Sequence, residues 1–245
     1  MGLLALGWGV IAASAVFIGA LIGWRYDVPA RLSASVMAFG SGVLLSLIAF
    51  DTLDDAYLDG GLWPSVAGMA IGAAAFTIGL LHLDRHGARD RKRARTPIVS
   101  ARNAAGVVAL ATVLDVIPES LIIGLNFANG ETVALATVIA VFLSNIPESM
   151  SATTRMKRAG RSAAYVFGVW AAVAVVGGLA TLIGYQLFAG TPEEWTAVAQ
   201  AITAGALLAL LVDTMIPEAF AETREAAGLV ASLGFITGFF LTHGL

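Results

Sequence analysis

LSNIPESMSA, residues 143–152, breaks a long apolar run with a serine, an asparagine, a proline and a glutamate. Nearly the same string, LDVIPESLIIG, occupies residues 114–124, and a third version, LVDTMIPEAFA, occupies residues 211–221. How these strings are read decides the fold. The apolar runs around them are about 20 residues long, enough to cross a bilayer core as a helix. A carboxylate at that depth costs about 2.5–3.5 kcal/mol on insertion scales, so an intramembrane Glu marks a functional position by default.

Composition agrees with a membrane chain. Of 245 residues, 58% are hydrophobic and 13% charged, with a mean hydropathy of +0.84. A soluble domain carries about 25% charged residues. The chain has no cysteine, which excludes disulfides, thiolate catalysis and Cys-ligated metal. The apolar run after Met1 lacks a basic leader and is longer than a signal-peptide core, so it is expected to be a retained span.

The expected fold is an all-α integral membrane protein of eight transmembrane helices in a single domain, residues 1–245. The spans are Leu3–Trp24, Ser33–Leu53, Leu62–Leu83, Ala101–Phe127, Thr132–Thr153, Ala163–Phe188, Ala197–Ala219 and Gly228–Thr242. Charge fixes their direction. Loops 1-2, 3-4, 5-6 and 7-8 together hold all fourteen Lys and Arg residues. The opposite side holds Asp54, Asp55, Asp59, Glu131, Glu193 and Glu194 and no basic residue. Basic loops face the cytoplasm, which puts both termini outside in a plasma (inner) membrane. The long basic loop, residues 84–101, is expected to be solvated. His82, Asp84 and His86 within and beside it have the spacing of a weak metal-binding set.

An internal resemblance points to inverted repeats. AFGSGVLLSL (Ala38–Leu47) followed by FDTLDDA (Phe50–Ala56) parallels AITAGALLAL (Ala201–Leu210) followed by VDTMIPEA (Val212–Ala219). The first pair runs outward and the second inward, as in many secondary transporters. Helices 1-3 and 6-8 would be the halves, around helices 4 and 5.

Asp115 and Glu119 stand at i, i+4 and share a helix face, as do Ser144 and Glu148, with Asn145 beside them. No Lys, Arg or His falls inside a span at comparable depth. The partner of these acids is then a proton, water or a metal ion, and oxygen donors suit divalent cations. Pro118 and Pro147 free the carbonyls of Leu114 and Leu143, which is tolerated at membrane depth only where backbone is buried or wet. Further pathway candidates are Asp51, Asp55 and Asn126 on the outer side and Asp213 and Glu218 on the inner. The last two are read equally as an exit relay or as a helix-end cap near Arg224. No His-Glu-x-x-His and no His beside an intramembrane Ser are present, so an intramembrane hydrolase, and with it enzyme activity, is not expected. A proton-linked carrier of another cationic solute, or a non-transporting metal-binding protein, stays open. Nothing points to nucleic acid. Small residues at Gly177–Gly178 and in the last span permit close helix packing, within the chain or in a homodimer.

The two strings with Pro-Glu in spans 4 and 5, the eight spans and the long loop 3-4 together resemble the ZIP (ZRT/IRT-like) family of divalent-metal transporters, whose motif is His-Asn-x-Pro-Glu-Gly. The resemblance implies that Asp115, Glu119, Ser144, Asn145 and Glu148 occupy the metal-binding positions. It also implies alternating access, with Zn or a related ion (Mn, Fe, Co, Cd) as the transported substrate rather than a prosthetic group, moving into the cytoplasm. Asp115 and Ser144 replace both motif histidines and Val116 one asparagine. Loss of imidazole moves the site toward harder ions.

Overall fold

A computed structural model of the chain describes residues 1–26, 28–85, 101–128, 135–224 and 226–244. Among them every regular element is helical. The helices are α1 (Gly2–Arg25), α2 (Ala30–Leu47), α3 (Leu53–Gly60), α4 (Leu62–Arg85), α5 (Ala101–Ala128), α6 (Leu135–Arg158), α7 (Ala163–Phe188), α8 (Glu193–Leu210), α9 (Ile216–Thr223) and α10 (Ala226–Gly244). Short π-helical segments, Ile48–Thr52 and Leu211–Met215, join α2 to α3 and α8 to α9. The expected loop over residues 84–101, and with it the His82, Asp84, His86 set, falls largely outside the described residues.

Six of the described helical stretches are long and apolar enough to cross a membrane: Gly2–Arg25, Ala30–Gly60, Leu62–His82, Ala163–Phe188, Glu193–Thr223 and Ala226–Gly244. Their packing is that of a lipid-solvated protein. In α1 the buried face is Ala5, Gly9, Ala12, Ala13, Val16, Gly19 and Ala20, while Leu3, Ile11, Ile18 and Leu21 point outward. Lipid tails are as apolar as Leu, so burial of large side chains gains little there. Small residues gain more by letting backbones approach.

The spans expected at Ser33–Leu53 and Ala197–Ala219 are longer than hydropathy alone shows, because each continues through a π segment into a second helix. The second of these has a visible cause. Pro217 sits at the start of α9 and cannot donate to the Asp213 carbonyl, and the π turn absorbs the break. The first has no proline, and nothing in its sequence announces it.

α5 and α6, which carry the Pro-Glu strings, have 28 and 24 residues, with Pro118 and Pro147 inside them. They are enclosed by other helices: α7 and α8 lie against α5, and α1 and α2 against α6. Thr181 Oγ1 donates to the Ser120 carbonyl (3.0 Å), tying α7 to α5. The indole of the fully buried Trp170 donates to Thr153 Oγ1 (2.7 Å), tying α7 to α6. Gly160, at φ 75°, ends α6: its N–H reaches the Lys157 carbonyl and that of Arg161 the Met156 carbonyl, the Schellman pattern that needs a left-handed residue.

The packing is paired throughout. α2 lies on α10 as α8 lies on α4, and α1 lies on α6 as α7 lies on α5. Four glycines give the pairing a register. A Cβ on Gly42 would run into the Ala231 carbonyl, and one on Gly205 into that of Met69. A Cβ on Gly234 would meet the Phe39 carbonyl, and one on Gly72 that of Ile202. Gly42 and Gly205 lie 163 residues apart, as do Phe39 and Ile202 and the starts of the two π segments. That is the register in which Ala38–Leu47 and Ala201–Leu210 align, and it differs by one residue from the pairing of the two Asp-Thr steps. It sets Asp55 opposite Glu218, where the Asp-Thr pairing would set Ala56. Gly177 and Gly178 pack against α1 and α5, and Gly234 and Gly238 against α2, so these small residues serve contacts within the chain.

Gly42→Ala and Gly205→Ala are each expected to cost about 1–3 kcal/mol, the range for overpacking a filled contact. Because the two contacts correspond, their effects should be similar. Thermal unfolding in detergent checks both.

Candidate functional site

Asp115, Glu119, Ser144, Asn145 and Glu148 are all buried, between 1% and 8% exposed. Five polar side chains withdrawn from lipid in two adjacent helices are not a consequence of amphipathicity. α5 and α6 are surrounded by apolar helices, and their polar residues face each other's neighbourhood rather than solvent. The link between the two motifs is direct. Ser144 Oγ lies 3.3 Å from Glu119 Oε1 and donates to the Val141 carbonyl at 2.9 Å. Asn145 Nδ2 also donates to the Val141 carbonyl (2.9 Å), which leaves its buried Oδ1 with no hydrogen-bond partner among the described residues. An amide oxygen held open this way is a ready donor to a cation.

The carbonyls freed by Pro118 and Pro147 belong to Leu114 and Leu143; the carbonyl that takes the Ser144 and Asn145 side chains is that of Val141. Gly40 of α2 packs on the Ser144 backbone, with 3.3 Å between its would-be Cβ and the Ser144 Cα. Among the described residues, no three His, Asp or Glu side chains gather as a metal-binding group. One carboxylate and one hydroxyl, Glu119 and Ser144, meet across α5 and α6.

Along α5, two turns C-terminal to Glu119, comes Asn126, fully buried. Its Nδ2 donates to Thr137 Oγ1 (3.1 Å) and more weakly to Asp51 Oδ2 (3.4 Å), and Thr137 Oγ1 donates to the same Asp51 oxygen (3.2 Å). Asp51, read from sequence as one of several acids at an outer span end, is thus drawn inward by the π segment onto α5 and α6. Asp55 follows one turn on, half-buried in α3.

At the C-terminal end of α6, Glu218 of α9 meets a basic side chain. Its Oε1 accepts from Arg155 Nη1 (2.5 Å) and from Ser151 Oγ (2.8 Å), and Arg155 Nη1 also reaches Ser151 Oγ (2.8 Å). Arg155, assigned to loop 5-6, belongs to α6 itself, which runs to Arg158 rather than ending at Thr153. A basic side chain does therefore stand on the same helix as Glu148. Asp213 lies half-buried in the second π segment.

Sequence reasoning missed Thr137, Ser151, Arg155 and Gln200. The first three recur with Ser144 and Glu148 at helical spacing, a signal present in the string, of which only Arg155 was read as loop. Gln200 of α8 is fully buried, and neither of its amide atoms has a hydrogen-bond partner among the described residues. A polar group in such a place costs about 1–3 kcal/mol, so it stands out as soon as burial is known. His243, at the end of α10, stacks on Phe239 and packs against Phe50.

A comparison with protein families finds one matching model, described as ZIP zinc transporter, over residues 77–245. No curated protein matches the chain. The matched stretch includes both Pro-Glu helices and the third Ile-Pro-Glu string.

Proposed function

The chain belongs to the ZIP zinc transporter family, and on that premise we propose that it carries a divalent cation, Zn(II) or one of Mn, Fe, Co and Cd, inward through the centre of eight spans. It is an integral membrane metal transporter and not an enzyme. The finer reading rests on Glu119 and Ser144. Two Pro-Glu helices, each long enough to cross a bilayer, bring a buried carboxylate and hydroxyl within 3.3 Å of each other inside a shell of apolar helices.

Counting α5 and α6 with the six apolar stretches gives eight spans. The paired contacts of α2 on α10 and α8 on α4 support an inverted repeat of spans 1-3 and 6-8 around spans 4 and 5. Asp115, Glu119, Ser144, Asn145 and Glu148 form the cation site, with Asp51, Asp55 and Asn126 above it and Asp213 and Glu218 below. The placement of all fourteen basic residues at alternate helix ends and in the loops between them supports both termini outside and a cytoplasmic inner end. The ion is cargo, so its binding must be reversible. A site of mixed carboxylate, amide and hydroxyl oxygens, without imidazole or thiolate, suits that and favours harder ions than a histidine site does.

Cells expressing the wild type or Glu148→Ala should be loaded with each ion and their internal Zn, Mn, Fe, Co and Cd measured. Wild type is expected to accumulate at least one ion above empty vector, and Glu148→Ala none. No gain for any ion overturns the reading. Uptake driven by a pH gradient and insensitive to divalent competition would replace it with a proton-linked carrier.

A further inference from the structure

The two polar layers that flank the cation site correspond to each other. α5 and α6 align on Ile117-Pro118-Glu119 and Ile146-Pro147-Glu148, an offset of 29 residues, and the same offset takes Asn126 to Arg155. Asn126 reaches from α5 to Asp51 in the first π segment. Arg155 reaches from α6 to Glu218, just past the second π segment. In the register fixed by the glycine contacts, Glu218 pairs with Asp55, one helical turn beyond Asp51. The difference of one turn follows from side-chain length, since a guanidinium extends farther along the partner helix than an amide. One contact is thus the counterpart of the other across the centre of the protein, but the outer one is neutral-to-acid and long, and the inner one is a short ion pair.

We propose that Arg155 is a tethered cation that closes the cytoplasmic side of the transport pathway by holding Glu218, with Ser151 as the bridge between them. Ser144, Glu148, Ser151 and Arg155 stand at spacings of four, three and four residues on one face of α6, so the stripe that begins at the cation site ends at the pair. The Arg155 and Glu218 side chains are 23% and 25% exposed. They are screened less than a surface pair and hold more firmly than one. Seven residues of helix put Arg155 about 10 Å below Glu148. A divalent cation arriving at Glu148 repels the guanidinium and competes with it for Glu218. The contact therefore stays shut without cargo and loosens when cargo is present. The asymmetry of the two layers gives them different tasks: the amide layer at Asn126 and Asp51 carries no positive charge against an incoming ion, whereas the inner layer does until the ion displaces it.

The proposal rests on the reading of the inner end as cytoplasmic, and the test separates the two. The chain has no cysteine, so a single Ser144→Cys reports access to the stripe without background. Inside-out and right-side-out vesicles in metal-free buffer are treated with a membrane-impermeant, positively charged thiosulfonate, and the labelling rate is read. Adding Arg155→Ala or Glu218→Gln is expected to raise labelling in inside-out vesicles about tenfold, a coupling of ordinary size. The swap of Arg155→Glu with Glu218→Arg is expected to restore protection, which a merely structural loss would not allow. Glu218→Gln keeps the shape of the site and serves if Arg155→Ala proves unstable. Unchanged labelling from both sides with folded variants overturns the gate. Faster labelling only in right-side-out vesicles keeps the gate and overturns the orientation.

Discussion

Glu119→Gln is expected to abolish metal uptake while leaving the metal-free fold as stable as wild type or more so. The two halves of this expectation have one cause. Glu119 is 1% exposed inside a 28-residue helix, with Ser144 Oγ 3.3 Å from Oε1. A carboxylate there costs the empty protein about 2.5–3.5 kcal/mol relative to an apolar residue, and an amide of the same shape costs less. With a cation bound the sign reverses. The variant has lost one charge from a site whose affinity depends on how many charged oxygens it offers. Removing one partner of a buried charge pair costs about 3–5 kcal/mol, so uptake at a fixed subsaturating ion concentration should fall at least about a hundredfold. Unfolding in detergent with and without metal measures the stability side. Wild type should gain about 2.7 kcal/mol at a metal concentration one hundred times its Kd, and the variant nothing. A Glu119→Gln protein that is less stable without metal and still gains stability from it would show that this carboxylate holds the fold together and does not bind cargo.

That opposition between stability and function explains which parts of the molecule were legible in the sequence. Spans are written in hydropathy and in the side of the membrane that takes arginine, and both are one-dimensional signals. The carboxylates of α5 and α6 stand out in the sequence because charge within a long apolar run is costly. The π segment at Ile48–Thr52 does not. Its consequence, Asp51 reaching Asn126 and Thr137, depends on one extra residue in a helical turn, and no side chain encodes it. Leu211–Met215 was half legible through Pro217. Arg155 was set beyond the span because charge was used to end it, whereas the helix runs on to Arg158. A basic residue at a helix end is read as loop unless its partner is known, and Glu218 lies 63 residues away. The internal likeness of Ala38–Leu47 and Ala201–Leu210 was visible in the register that the structure keeps, 163 residues apart, with Gly42 on Gly205. Only the two Asp-Thr steps, 162 residues apart, depart from it, while Gly42 and Gly205, each pressed on a carbonyl of the neighbouring helix, carry the geometric constraint.

Ser144→His is expected to move ion preference toward zinc and away from manganese by about tenfold, which is 1.4 kcal/mol of differential binding. Ser144 is where this chain departs most sharply from the motif it resembles. A hydroxyl is a neutral and weak ligand, and it spends its proton on the Val141 carbonyl with Glu119 Oε1 as the alternative. An imidazole at this position adds a nitrogen donor without removing any of the three acids, so total charge at the site is preserved and softness alone changes. Borderline ions such as Zn and Co gain from nitrogen more than Mn does. Asp115→His is the control with the opposite balance. It also adds nitrogen but removes a charge, so it should weaken every ion while shifting the ratio in the same direction. Gly40 makes room for the larger side chain only in part, because it packs on the Ser144 backbone. Folding must therefore be checked by size exclusion before competition is read. Radioactive zinc uptake against unlabelled zinc and manganese gives the ratio. A folded Ser144→His protein with an unchanged ratio would remove residue 144 from the ligand set and leave span 5 to contribute through Asn145 and Glu148 alone.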